Sequence, residues 1–154
     1  MFTLLAKVEA ILNSRPVCAL SSEPREINVL TPGHFLVGGP LVAIPEGTWD
    51  EASHRRSLYQ MLQKLTQGFW RTWQRDYLYT LQQKTKWFKP TPNIKLNDVV
   101  IIVEPNLPPT QWRLAIVEEL HPGKDNIVRV VTLQTANGHF MKRRVVKTCP
   151  LPIN

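Results

Sequence analysis

Apolar side chains recur along this chain in three rhythms. Over residues 3–13, Leu4, Leu5, Val8, Ile11 and Leu12 fall at steps of 1, 3, 3 and 1, which is one face of a helix. Asn13, Ser14 and Pro16 stop it. A helix this short has little stability alone in water and must pack on a neighbour. We read residues 1–13 as the last helix of a domain whose remainder lies upstream. From 14 to 49 the pattern is irregular. Pro16, Pro24, Pro32, Pro40 and Pro45, with Gly33, Gly38 and Gly39, mark a connector. Within it, LTPGHFLVGGPL is apolar enough to lie on a surface, and Thr31 before Pro32 fits the start of a short helical turn.

The second rhythm is the longest. Leu58, Leu62, Leu65, Phe69, Trp73, Tyr77 and Leu81 step by 4, 3, 4, 4, 4 and 4, with Met61, Trp70 and Leu78 widening the stripe. This predicts a long helix within 50–89, capped by Asp50 or Ser53 and about 50 Å long at 1.5 Å per residue. Gly68 near its middle predicts a kink or break. The regular stripe is expected to face a core or another helix. Trp87 and Phe88, among Lys84, Lys86 and Lys89, are expected to wedge the helix end against the C-terminal part of the chain, the alternative being contact with a nucleic acid.

From residue 94 the period becomes that of strands. DVVIIVE (98–104), WRLAIVEEL (112–120), NIVRVVTLQT (126–135) and HFMKRRVVKT (139–148) are β-branched runs. Pro-rich, HPGKDN and ANG segments separate them, the last being a tight hairpin signal. Four or five short antiparallel strands over 94–150 predict a small barrel, SH3-like or chromo-like, with an OB-like barrel as the alternative. Consecutive strands and short turns predict that this unit folds on its own. The expected class is α+β: an N-terminal helix and irregular linker, a long aromatic-rich helix, then an SH3-like antiparallel β-barrel.

Charge sharpens this picture. The 154 residues carry a formal net charge of +7. Residues 1–83 hold eight Lys and Arg against seven Asp and Glu, whereas 84–154 hold eleven against five. A basic barrel fits a polyanion partner. Cys18 and Cys149 are far apart and make no metal-ligand spacing. They fit a reducing compartment, nucleus or cytoplasm. No apolar run approaches a membrane span, and the first residues make a poor signal peptide.

No nucleophile elbow, phosphate-cradling glycine loop or zinc-protease helix occurs. His34, His54, His121 and His139 are dispersed, and Glu9 reads as a solvated helix residue. We expect no cofactor, no metal, no small-molecule ligand and no catalytic activity. The candidate site is the basic run MKRRVVK: Lys142, Arg143, Arg144 and Lys147, joined from neighbouring strands by Arg113 and Arg129. Strand alternation puts Lys142 and Arg144 on one side and Arg143 on the other. Positive charge with reach is all that phosphate contact needs. The plainer expectation is a solubilising face, or ion pairs to Glu118 and Glu119.

VEAILNSRPV, LTPGHFLVGGPL, FWRTWQRDYLYTLQQKTKW, the run from LNDVVIIVEP to TLQTANG, and CPLP occur here in one order. This combination resembles the C-terminal end of the integrase region in BEL/Pao-type LTR retrotransposon polyproteins. The resemblance implies that the first helix closes a ribonuclease-H-like core. The downstream part is then a domain of unknown function laid out like the barrel ending other retroelement integrases. It places the acidic catalytic triad and the zinc-binding module upstream of VEAILNSRP. The family shows Gly-Asp where this chain has Asn97 and Asp98 in LND. The expected function is a non-catalytic nucleic-acid-binding fragment linked to DNA integration. Sequence-tolerant DNA is the expected partner, with self-assembly or docking on the upstream core through residues 1–89. The alternative is a protein-interaction module using the barrel groove and the Trp-rich helix, which an open groove lined by Trp112 and Phe140 would favour.

Overall fold

The computed structural model describes residues 2–20, 27–41, 58–82 and 94–152. In chain order these form α1 (Phe2–Asn13), β1 (Cys18–Ala19), β2 (Val29–Leu30), α2 (Pro32–Val37), α3 (Leu58–Leu81), β3 (Val99–Ile102), β4 (Leu114–Pro122), β5 (Val128–Thr135), β6 (Phe140–Arg144), a 3₁₀ turn (Val145–Lys147) and β7 (Thr148–Pro150). The class is α+β, as the sequence predicts. The expected caps Asp50 and Ser53, and the wedge of Trp87 and Phe88, lie outside the described residues.

Strands β3 to β7 make one antiparallel sheet in the order β6-β5-β4-β3-β7. The turn chemistry explains the hairpins. In the ANG turn, Gly138 takes φ 75° and donates to the Thr135 carbonyl at 2.8 Å. In HPGKDN the left-handed position falls to Asn126, φ 59°. Asn97, in LND, also sits at φ 65°, so asparagine occupies a backbone conformation that glycine favours. The run from 139 to 148 reads as one strand in sequence but divides into β6, the 3₁₀ turn and the start of β7. Val145 turns into the core, and Thr148 Oγ1 donates to the Val145 carbonyl at 2.8 Å. β7 then returns to pair with β3, Cys149 opposite Ile101.

Alternation gives the sheet two apolar faces. On the inner one, Val100, Ile102, Ala115, Val117, Val131 and Leu133 are fully buried, with Met141 and Val145 packed on them. On the outer one, Val99, Ile101, Ile116 and Cys149 meet Leu78 of α3 and Ala19 of β1. β3 is therefore buried on both faces, which is why VVII has no polar alternation.

Helix α3 runs through Gly68 without a break. A Cβ at Gly68 would meet nothing within 4 Å, so the residue serves no close approach. Its buried line is Gln63, Thr66, Trp70, Gln74 and Leu78; of the expected stripe only Trp70 and Leu78, on its widened edge, are buried. Each i+4 step overshoots a full turn by about 40°, so a long run of fours winds around the helix. Leu58, Met61 and Leu65 consequently lie exposed, while Phe69, Trp73, Tyr77 and Leu81 flank the buried line half-covered.

The NSRP segment ties the helices to the sheet. α1 packs on α3 with Ile11 fully buried. The helix ends where Ser14 Oγ donates to the Ile11 carbonyl at 2.8 Å. That hydroxyl also accepts from Trp112 Nε1 at 3.3 Å, and the Pro16 carbonyl accepts from Tyr77 Oη. Within the connector, β1 and β2 form a two-stranded ladder that the proline pattern hid. α2 begins at Pro32 after Thr31, as the sequence predicts, and ends at left-handed Gly38, φ 76°.

Candidate nucleic-acid interface

Helix α3 packs on the outer face of the sheet over β3, β7 and the first half of β4. Beyond it the outer face carries Glu119 and His121 from β4, Val130, Thr132 and Gln134 from β5, and Phe140, Lys142 and Arg144 from β6. A bulge between Val117 and Glu119 absorbs Glu118 and keeps Glu119 and His121 on that face. In the ladder Lys142 lies opposite Thr132, Arg144 opposite Val130 and Phe140 opposite Gln134. The alternation holds: Met141 packs on the inner core and Arg143 points to the same side, away from Lys142 and Arg144.

The six predicted residues do not form one patch. Arg113 Nη1 meets Glu104 Oε2 at 2.8 Å, and Arg143 Nη2 meets Glu104 Oε1 at 3.5 Å. One carboxylate thus holds two of the arginines. Arg129 grips Asp125 with two hydrogen bonds, 2.6 and 2.9 Å, across the β4–β5 turn. Those bonds bring the Asp125 carboxyl down to about 2. Lys142, Arg144 and Lys147 are exposed and have no ion-pair partner among the described residues. The Val103 amide donates to the Lys147 carbonyl at 2.9 Å and anchors that stretch.

Sequence reasoning offered Glu118 and Glu119 as the carboxylate partners. Instead Glu119 accepts from Thr132 Oγ1 at 3.3 Å and lies 3.6 Å from His121 Nε2. His121 Nε2 also shares a 2.8 Å hydrogen bond with Thr132 Oγ1. Asp125 was findable: it stands four residues before Arg129 across a turn. Glu104 was findable only in part, because its pairing with Arg143 joins residues far apart in the ladder.

The aromatic residues divide by face. Trp112 packs edge-on against Trp70 at 5.0 Å and Tyr77 at 5.5 Å, and Trp73 stacks on Tyr77 at 5.7 Å. Trp112 is thus half-covered by Trp70 and Tyr77 of α3, on the part of the sheet that the helix packs against. Phe140 is 61% exposed.

Among the described residues, no three His, Cys, Asp or Glu side chains converge as metal ligands, and no helix is long and apolar enough to cross a membrane. Glu9 lies exposed on α1. Cys149 is buried, which pushes its thiol up to about 11. No curated protein and no solved structure matches this chain. Residues 57–151, from α3 to β7 and just beyond, match a family of unknown function, DUF5641. The match covers more than half of the sequence, and the chain belongs to the DUF5641 family.

Proposed function

We propose that this chain is a non-catalytic nucleic-acid-binding module, the C-terminal part of a BEL/Pao-type retrotransposon integrase, which grips DNA through its phosphates. The observation that carries the reading is the basic end of the sheet. Lys142, Arg144 and Lys147 stand exposed with no carboxylate partner among the described residues. Exposed cations without a carboxylate partner are available for contact with phosphates.

The shape is read as an SH3-like barrel. Strands β3 to β6 meander, a 3₁₀ turn comes next, and β7 returns to β3. Arg143 on β6 reaches Glu104 just after β3, although two strands separate them in the ladder. That bridge and the Val103–Lys147 hydrogen bond support a sheet curled onto itself. A second surface, for self-assembly or docking on an upstream core through residues 1–89, is favoured by exposed Phe35, Leu36 and Val37 on α2 and Leu58, Met61 and Leu65 on α3.

Fluorescence anisotropy of the full chain on two unrelated duplexes, at several salt concentrations, tests the proposal. Replacing Lys142 and Arg144 with Ala should weaken both duplexes equally and flatten the log K against log salt slope by about two. Arg143→Ala should change it less, because Glu104 already holds that guanidinium. Binding that is absent, or insensitive to salt, would overturn the reading.

A further inference from the structure

We infer that the outer face of β6 is a single-strand path, on which Phe140 stacks an unpaired base while Lys142 and Arg144 hold the adjoining phosphates. This rests on the nucleic-acid reading and adds the class of nucleic acid and the residue that selects it. Three observations place these groups together. Phe140, Lys142 and Arg144 alternate along one face of an edge strand, each opposite an outer-face residue of β5. All three are exposed, Phe140 by 61% despite its large apolar ring. Neither cation has an ion-pair partner among the described residues.

A packing role does not explain Phe140. The inner core is closed by Met141 and Val145, and α3 covers the outer face at the other side of the sheet. Ring and cations succeed each other at about 6.7 Å per two residues along the strand. That arrangement, an exposed ring in line with positive charge, suits an unstacked base and its backbone. A duplex keeps its base faces inside the stack and offers Phe140 nothing to cover. The carboxylate nearest on this face, Glu119, is two strands away, about 10 Å, and is engaged by Thr132 and His121. The path therefore runs along β6 and not across the sheet. Base stacking carries no sequence code, so the partner is any flexible single strand, DNA or RNA.

The experiment uses the full chain with fluorescent oligo(dT), oligo(rU) and a mixed-sequence duplex of matching length. Phe140→Ala and Phe140→Leu are the variants, the second retaining an apolar side chain on the strand. Both should weaken at least one of the two single strands by between about 5- and 100-fold, the equivalent of one stacked base, and leave the duplex within about twofold. Near-wild-type single-strand binding by Phe140→Leu would overturn the inference, since an aliphatic side chain cannot stack. So would equal losses on duplex and single strands. In either case the Lys142 and Arg144 double variant, still weakening the duplex, would leave the broader reading standing. If no probe shows salt-dependent binding, it is the broader reading that fails.

Discussion

Trp70 and Trp73 stand three residues apart on one helix and should respond in opposite ways to the same substitution. Trp70 is 2% exposed, its ring packs against Trp112, and its Nε1 donates to the Leu107 carbonyl at 2.7 Å. A tryptophan buries about 200 Å², worth about 5 kcal/mol at ~25 cal/mol/Å² as an upper figure. Trp70→Ala should therefore cost about 4 kcal/mol, within the usual range for large core truncations. With a urea m-value of about 2 kcal/mol/M, the midpoint falls by about 2 M. Trp70→Phe keeps most of the packing but strands the Leu107 carbonyl, a loss of about 1–2 kcal/mol. Trp73 is only half-covered, and its buried Nε1 has no hydrogen-bond partner among the described residues. Trp73→Phe removes an unsatisfied donor and should be neutral or stabilising by up to about 1 kcal/mol. Urea titrations followed by circular dichroism measure both, free of the changed tryptophan signal. The reasoning is refuted if Trp73→Phe costs more than Trp70→Phe, because the helix would then bury its sequence stripe after all.

Other outcomes rest on single positions. Gly68→Ala, in the exposed middle of α3, should stabilise by about 1 kcal/mol in the same titration. Asn97→Gly should be neutral or slightly stabilising, whereas Asn97→Val should cost about 1–2 kcal/mol because φ is 65° there; a tolerated valine would deny the left-handed turn. Burial raises Cys149 from 9.0 to about 11, so between those values the unfolded chain has lost a proton that the folded chain keeps. Stability should be flat below pH 9 on this account and fall as pH rises from about 9 to 11, and Cys149→Ala should flatten that fall. Tyr77, also raised by burial, adds a loss of the same sign above its ordinary value of 10.0. Against the independence that consecutive strands and short turns suggest, residues 94–152 expressed without α3 would expose Val99, Ile101 and Ile116, and should bind a hydrophobic dye and melt without a cooperative transition; a sharp transition would show that the inner core suffices.

The longer secondary-structure elements were legible in the chain alone, whereas the short β1–β2 ladder was not. Period-3.6 and period-2 stretches marked α1, α3 and the strand runs, and Gly138 marked the β5–β6 hairpin, because these signals are local. Alternation also placed Lys142 and Arg144 together and Arg143 apart, since a strand's side-chain period is fixed at two. Which faces meet was settled by packing and by nothing earlier. The apolar stripe of α3 promised one buried line, yet it is the edge of that stripe, Trp70 and Leu78, that is covered, together with polar Gln63, Thr66 and Gln74. A helix is turned by the shape of what it packs on as well as by its own polarity, and here α1 and the outer sheet set the angle. The split of the last run into β6, a 3₁₀ turn and β7 depends on Val145 reaching a core built from strands far away in sequence. Which of the basic side chains are left unpaired was not legible, because charge is counted along the chain. Folding brought Glu104 between Arg113 and Arg143, and Asp125 onto Arg129, leaving Lys142, Arg144 and Lys147 without ion pairs among the described residues. Ion pairs act over a few ångströms in space, and only the fold sets those distances.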